Sequence, residues 1–396
     1  MRMLKDLINV CFLVLGHLFP RSRRKIVFGA WNGNSYSDNP KFLFEFFFAH
    51  PEFRIVWIGN KAVRSTLPPL PSHASFAVRH SPLGFWHALT AKTWVFSHST
   101  NDIALVAIWG RALLLDTCHG VALKQVGEMC SSAARKQDCF LERLLKNKTY
   151  LAMPSAWQSR NTLAGFPGLF QTPTLPFGST TLDFVLSRKN DDGFRNGLRR
   201  KFAETFGLPP DKKWIVYAPT FRHLSENNFS FRELPETDRT KLANVLDETG
   251  AVIVEKLHPS RLANAVPGRD DRVFSLSGPD ARTLEPHELW IAADAMISDY
   301  SSCVVPAFLL GRPVIHFVYD YEYYTKEDTG LVADLEDIRF GAIARNLDEL
   351  LDCLAHLNRA ANQCGKRARE LIEYEDGKAC DKYLRFIESS HHLDIR

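Results

Sequence analysis

Five short polar clusters in this chain each follow an apolar run, and they hold the residue types that handle anions and protons. Lys256-Leu-His-Pro259 follows Ala251-Val-Ile-Val254, and Ser298-Asp-Tyr-Ser-Ser302 follows Ala295-Met-Ile297. Pro219-Thr-Phe-Arg222 follows Ile215-Val-Tyr217, His119-Gly120 follows Leu113-Leu-Leu115, and Ser35-Tyr-Ser-Asp-Asn39 follows Phe28-Gly29. If the runs are parallel strands, the clusters gather where open α/β sheets bind their ligands, at the carboxyl ends of strands. Arg, Lys, His, Ser and Asp at that edge suit an anionic ligand.

Each cluster also has a plain structural reading. Lys256 and His258 alternate along a strand end, so both fall on one face, where Lys supplies a point charge and His a hydrogen bond or proton to a phosphoryl group. A lone buried His is usually structural, but a Lys two residues earlier weighs against a satisfied core pair. Ser301 and Ser302, with Ser298 and Asp299 before them, stand between a strand and the apolar stretch Cys303 to Leu310, which Gly311-Arg-Pro313 stops. Hydroxyls and free N–H groups at a helix start favour phosphate, yet Ser301 or Asp299 as a simple helix cap fits equally well. Arg222 can grip a phosphate with two parallel hydrogen bonds, or form a salt bridge between domains. His119, beside the permissive Gly120, suits a general base, or is a core histidine satisfied within its own domain.

The elements that must carry these clusters alternate along the chain. Strands are expected at Ile26–Gly29, Arg54–Ile58, Ser75–Val78, Trp94–Ser97, Ala112–Leu115 and Tyr150–Met153, with helices such as Asn39–His50, Leu83–Thr90 and Ala156–Ala164 between them. A second series follows at Trp214–Ala218, Ala251–Lys256, Val273–Ser275, Ala295–Ser298 and Val314–Phe317, with helices near Arg239–Thr249, Glu285–Ala292 and Ser302–Leu310. The pattern predicts an α/β protein with two doubly wound units. Residues 1–25 read as a basic and apolar N-terminal segment, 26–175 as the first unit, 176–345 as the second and 346–396 as C-terminal helices, Leu347–Asn362 and Lys366–Ser389, with no further strand.

A chain of 396 residues exceeds one ordinary hydrophobic core, and 45% apolar with 24% charged residues describes a globular protein. Net charge +4 is too mild to indicate nucleic acid without a localised patch. The eight cysteines form no CxxC and no zinc spacing, which fits reduced thiols of a cytosolic protein. Cys118 beside His119 is a poor nucleophilic pair, because neighbours on a strand end point apart. No Walker A sequence, GxGxxG, HExxH or carboxylate clamp is present, which disfavours metal-dependent nucleotide-sugar chemistry. Ile8 to Phe19 is too short to span a bilayer. Flanked by Arg2, Lys5, Arg21, Arg23, Arg24 and Lys25, it fits an interfacial helix drawn to anionic lipid, or a helix packed on its own domain.

Taken in order, the motifs resemble those of the CDP-glycerol glycerophosphotransferase family of teichoic-acid and capsule synthesis. Tyr36-Ser-Asp-Asn-Pro-Lys41 is similar to that family's YSDNPK, Cys118-His-Gly-Val-Ala-Leu-Lys124 to WHGTPLK and Tyr217-Ala-Pro-Thr-Phe-Arg222 to YAPTWR. Lys256-Leu-His-Pro259 and Ile297-Ser-Asp-Tyr-Ser-Ser302 stand as KLHP and ITDYSS, so the resemblance runs from about Phe28 to Asp337.

The resemblance implies two Rossmann-like domains facing across a cleft, as in GT-B enzymes, and a metal-independent reaction without a cofactor, in which CDP-glycerol is the donor substrate. It implies His119 as the base and His258 as a second catalytic histidine. Arg222, Lys256, Ser298, Asp299, Ser301 and Ser302 would hold the donor, and Ser37, Asp38, Asn39 and Lys124 would line the acceptor side or the cleft. A lipid-linked saccharide at the inner face of the cytoplasmic membrane is the expected acceptor. With little beyond the catalytic pair, the chain fits a priming step rather than long-chain polymerisation. Val121 and Ala122 depart from the family's Thr-Pro, and Pro176-Phe-Gly178 stands where many members carry GYPRND, so a ribitol phosphate donor stays open. A GT-B glycosyltransferase using a UDP- or CMP-sugar and a non-catalytic membrane or polysaccharide-binding protein are the remaining readings.

Overall fold

The computed structural model describes residues 2–130, 149–169, 171–220, 229–256, 271–360 and 363–393. They form two units, each built on its own parallel sheet. The first holds the described residues of 2–120, 149–184 and 372–393, and the second those of 121–130 and 185–371.

In the first unit the strands are β1 (Ser22–Phe28), β2 (Arg54–Gly59), β3 (Ala74–Val78), β4 (Ala91–Phe96), β5 (Leu113–Asp116), β6 (Thr149–Ala152) and β7 (Thr174–Leu175). Their order is β3-β2-β1-β4-β5-β6-β7, and every pairing is parallel. Strands buried on both faces need apolar residues at successive positions, and Ile26, Val27 and Phe28 are fully buried, as are Ile55, Val56 and Trp57. Strand order reverses between β1 and β4, the place where such sheets open a crevice.

The second unit repeats the plan with β8 (Lys213–Tyr217), β9 (Ala251–Glu255), β10 (Val273–Ser275), β11 (Ala295–Ser298), β12 (Val314–Phe317) and β13 (Ala342–Ala344), ordered β10-β9-β8-β11-β12-β13. Its reversal falls between β8 and β11. Strands β7 and β13 lie outside the sequence expectation. At two and three residues, with Ala at both ends of β13, they carry too little apolar pattern to register. The expected helix Lys366–Ser389 is interrupted instead: Ala368–Leu371 ends early, a turn follows with Gly377 at φ 75°, and Ala379–Leu393 resumes. Tyr383 and Ile387 of that last helix join the core formed by Ile26, Phe28, Phe44 and Trp57 in the first unit.

The N-terminal helix Arg2–Leu18 packs one side on the first unit. Phe12 meets Phe85 edge to face with centroids 5.8 Å apart, and the Asn9 side-chain oxygen accepts from the Ala107 N–H at 3.3 Å. Just past the helix, the Arg21 guanidinium donates to the carbonyls of Ala91 and Ile108 at 2.6 Å each. The other side leaves Val14 and Leu18 exposed, and Leu83 and Trp86 of Pro82–Thr90 are exposed as well. Among the described residues no helix is long and apolar enough to cross a membrane.

Candidate active site

In the first unit, the polar residues at the reversal are held by one buried carboxylate. Asp102 accepts the N–H of Asn32 at 2.7 Å through Oδ1, and those of Ser97 and His98 at 3.0 Å each through Oδ2. It thereby ties the turn after β1 to the end of β4. The approach is so close that a Cβ on Gly29 would lie 2.6 Å from the Asp102 carbonyl oxygen, which explains the glycine. The tied turn is left-handed at Trp31 (φ 49°) and Asn32 (φ 54°), conformations that cost energy in non-glycine residues and cluster at functional sites. It presents Trp31, half exposed, with its ring centroid 4.3 Å from that of His98.

His119 stands in the turn after β5, between Cys118 at φ 50° and Gly120 at φ 115°. The Asp116 carboxylate accepts the Cys118 N–H at 2.8 Å, and burial pushes the Asp116 pKa up to about 7. Burial and then the neighbouring Asp116 hold the Cys118 thiol well above its usual range, so it is no nucleophile. Asn39 anchors the turn from the other side. Its amide donates to the carbonyls of Thr117 and Cys118 at 3.0 Å each, while its side-chain oxygen accepts from the N–H and hydroxyl of Thr181 at 3.0 Å. Asn39 is thus a buried brace for the histidine turn. Asp38, at φ 67°, accepts the Asn39 N–H at 2.9 Å, and Ser37 begins the helix Asp38–Phe46 without a side-chain cap bond.

One participant here is absent from the sequence reading. The imidazole of His98 lies flat against that of His119, with centroids 4.5 Å apart and planes 2° from parallel. Burial first, then His119, pull the His98 pKa down to about 4 against the opposing pull of Asp102. Its position directly after β4, at the sheet reversal, is the signal that could have found it.

In the second unit the same topological point is built from β8 and β11. The Asp299 carboxylate accepts the Thr220 N–H at 2.9 Å, the Thr220 hydroxyl at 2.6 Å and the Tyr300 N–H at 2.6 Å. The Ser298 hydroxyl donates to the Ala218 carbonyl at 2.6 Å. Both side chains are buried and engaged with the loop after β8. Tyr300 stacks on Tyr324 with centroids 3.9 Å apart and donates its hydroxyl to Asp320 at 3.0 Å.

Ser301 and Ser302 are half-buried before the short helix Val304–Leu309. The N–H of Cys303 meets the Ser301 hydroxyl oxygen, and those of Val304 and Val305 meet the carbonyls of Ser301 and Ser302. These amides are engaged within the turn. Lys256 follows β9, and its backbone N–H bonds the Tyr217 carbonyl at 2.8 Å. Burial lowers its ammonium pKa, opposed by Cys303 and Glu285.

Lys124 sits in the second unit, where the segment after Gly120 runs antiparallel to Leu331. The motif Cys118–Lys124 therefore divides, with His119 in the first unit and Lys124 in the second. Arg222 and His258 lie outside the described residues. Among the described residues, no three His, Cys, Asp or Glu side chains gather as a metal site, and all cysteines are free.

Two doubly wound parallel units, one with a histidine turn after β5 and the other with a serine turn at its sheet reversal, make an α/β fold of the GT-B type. The family model for CDP-Glycerol:Poly(glycerophosphate) glycerophosphotransferase matches residues 12–389. The chain belongs to this family and is an enzyme of the glycerophosphotransferase class, with a role in teichoic-acid-type polymer synthesis.

The chain is 25% identical over 379 residues to the teichoic acid glycerol-phosphate transferase of Staphylococcus aureus (strain NCTC 8325 / PS 47), covering 92% of this chain and 93% of the relative. It is 22% identical over 392 residues to the teichoic acid ribitol-phosphate primase of Bacillus spizizenii (strain ATCC 23059 / NRRL B-14472 / W23), covering 98% and 97%. Among solved structures, the wall teichoic acid polymerase TagF superposes with a TM-score of 0.75 at 22% identity, covering 100% of this chain and 98% of that one.

Proposed function

We propose that this enzyme moves glycerol phosphate from CDP-glycerol to a hydroxyl of a lipid-linked saccharide, releasing CMP, and adds one or a few units. The observation that carries this reading is the turn after β5, which Asn39 braces and which sets His119 against His98 beside the reversal of the first sheet. In the reaction, His119 takes the proton of the acceptor hydroxyl as its oxygen attacks phosphorus. The bond to the CMP phosphate breaks in line, and CMP leaves with the electron pair.

Lys256, Ser301 and Ser302, with Arg222 and His258, hold the donor pyrophosphate and stabilise the charge that develops on it. Ser298 and Asp299 act indirectly, by fixing the loop after β8. Ser37, Asp38 and Lys124 complete the acceptor side. The exposed apolar residues of the N-terminal helix, with Arg23 and Arg24 following, support work at the inner face of the cytoplasmic membrane.

Similarity to the ribitol-phosphate primase along nearly its whole length keeps CDP-ribitol as a second donor. The deciding experiment offers CDP-glycerol, CDP-ribitol and UDP-sugars with lipid-linked or synthetic saccharide acceptors, and reads CMP release and product mass. CMP release and an added polyol phosphate support the proposal, whereas reaction with UDP-sugars alone overturns it.

A further inference from the structure

We propose that His98 is a positioning residue for the transfer reaction, acting with the carbonyl of Ser97 to hold the His119 imidazole in the plane and tautomer of a base. The inference rests on the reading of His119 as the proton acceptor and goes beyond it.

Two contacts from adjacent residues converge on one ring. The Ser97 carbonyl lies 3.4 Å from Nδ1 of His119, so it can accept only if Nδ1 carries the proton. That tautomer leaves the lone pair on Nε2, the nitrogen free to take a hydroxyl proton. A hydrogen bond this long holds a ring weakly, and the flat face of His98 supplies the second constraint. With planes 2° from parallel at 4.5 Å, the His119 ring cannot swing toward β4 without overlapping His98.

His98 is itself fixed. Its N–H is held by buried Asp102, its Nδ1 lies 2.8 Å from the Ser97 hydroxyl, and Trp31 flanks its ring. The low pKa of His98 supports the arrangement, because a neutral ring places no positive charge against the imidazolium that His119 becomes during transfer. The acceptor proton goes to Nε2 of His119, the acceptor oxygen bonds phosphorus, and CMP departs with the electrons of the broken bond. His98 exchanges no proton in this sequence.

The test compares His98→Ala and His98→Phe with the unaltered chain in CDP-glycerol transfer, alongside ¹⁵N spectra of histidine-labelled protein with His119 assigned by difference from His119→Gln. Removing the ring in His98→Ala is expected to lower kcat by about 10- to 100-fold while KM for CDP-glycerol stays within about twofold. His98→Phe, flat and uncharged, is expected to recover most of kcat. The spectra should show Nδ1 of His119 protonated and Nε2 bare in the unaltered protein, with the two tautomers mixed in His98→Ala.

An unchanged kcat in His98→Ala, a His98→Phe variant as impaired as alanine, or an Nε2-protonated His119 in the unaltered protein would each overturn the inference. If substitution at position 98 prevents folding, the spectrum of the unaltered protein decides alone. Failure of the unaltered protein to transfer from any CDP-polyol would instead sink the functional reading beneath it.

Discussion

The Asp299 carboxylate binds Thr220 through both its N–H and its hydroxyl, and this pair locks the end of β8 to the end of β11. Three donors converge on one buried group, the third being the Tyr300 N–H. A carboxylate makes stronger bonds to such donors than a neutral acceptor does, and removing it leaves them buried without partners.

Asp299→Ala is therefore expected to cost about 2–4 kcal/mol of stability. It should also raise KM for the CDP-polyol, since the loop after β8 leads into Arg222. Denaturant unfolding and initial rates measure the two effects. A variant with unchanged midpoint and unchanged KM would show that the lock is dispensable.

His119 presents the opposite case. Its described polar contact is long and the residue is exposed, so the ring adds to folding chiefly through its stack on His98. His119→Ala is expected to lose no more than about 1 kcal/mol of stability while losing about 100- to 10,000-fold in kcat. CDP-glycerol binding, followed by calorimetry, should persist. Loss of binding in step with loss of rate would place His119 on the donor rather than on the acceptor proton.

Asp116 makes a pH-dependent prediction. Its folded pKa is raised by burial from the ordinary 3.8 to about 7. Between those values the folded state holds the proton that the unfolded chain has released, so this group's contribution to stability falls as pH rises from about 4 to about 7 and then levels off. The low pKa of His98 acts in the opposite direction, adding stability as pH rises from about 4 to 6.5, so the whole-protein curve mixes the two.

Asp116→Asn isolates the first contribution, because asparagine keeps an acceptor for the Cys118 N–H and cannot ionise. Relative to the unaltered protein, the variant should gain stability on the order of 1–3 kcal/mol from pH 4 to pH 7.5. Unfolding at a series of pH values provides the measurement. A difference that stays flat across the window would mean that Asp116 ionises in the fold at its ordinary pKa.

Much of this architecture is legible in the apolar runs, because parallel strands buried on both faces leave an uninterrupted hydrophobic signal. Ala295-Met-Ile297 and Ile215-Val-Tyr217 are found that way, and so are the clusters after them. Asn39 and Asp299 were legible as polar residues in the right places, but not as braces, since their partners are main-chain groups and threonine hydroxyls up to 142 residues away. Asp102 was not legible at all, for the same reason in stronger form: its three partners are main-chain amides with no sequence signature. His98 stands among Ser97, Ser99 and Thr100, with no second charged residue to mark it, and only the parallel order of β1, β4 and β5 brings it against His119.

The N-terminal helix separates two roles that its sequence merges. Gly16 faces inward, where an added Cβ would sit 2.5 Å from the Ile108 carbonyl oxygen, whereas Leu18 is 75% exposed. Gly16→Ala must push the helix off the first unit and is expected to cost about 1–3 kcal/mol, visible in the unfolding midpoint. Leu18→Glu touches no core contact, so its midpoint should stay within about 0.5 kcal/mol of the original. A carboxylate there opposes both apolar insertion and attraction to anionic lipid, so cosedimentation with phosphatidylglycerol vesicles should fall, most clearly at low salt. Transfer to a water-soluble acceptor should be unaffected in the same variant. Full vesicle binding by Leu18→Glu would mean that this exposed face is not what meets the membrane.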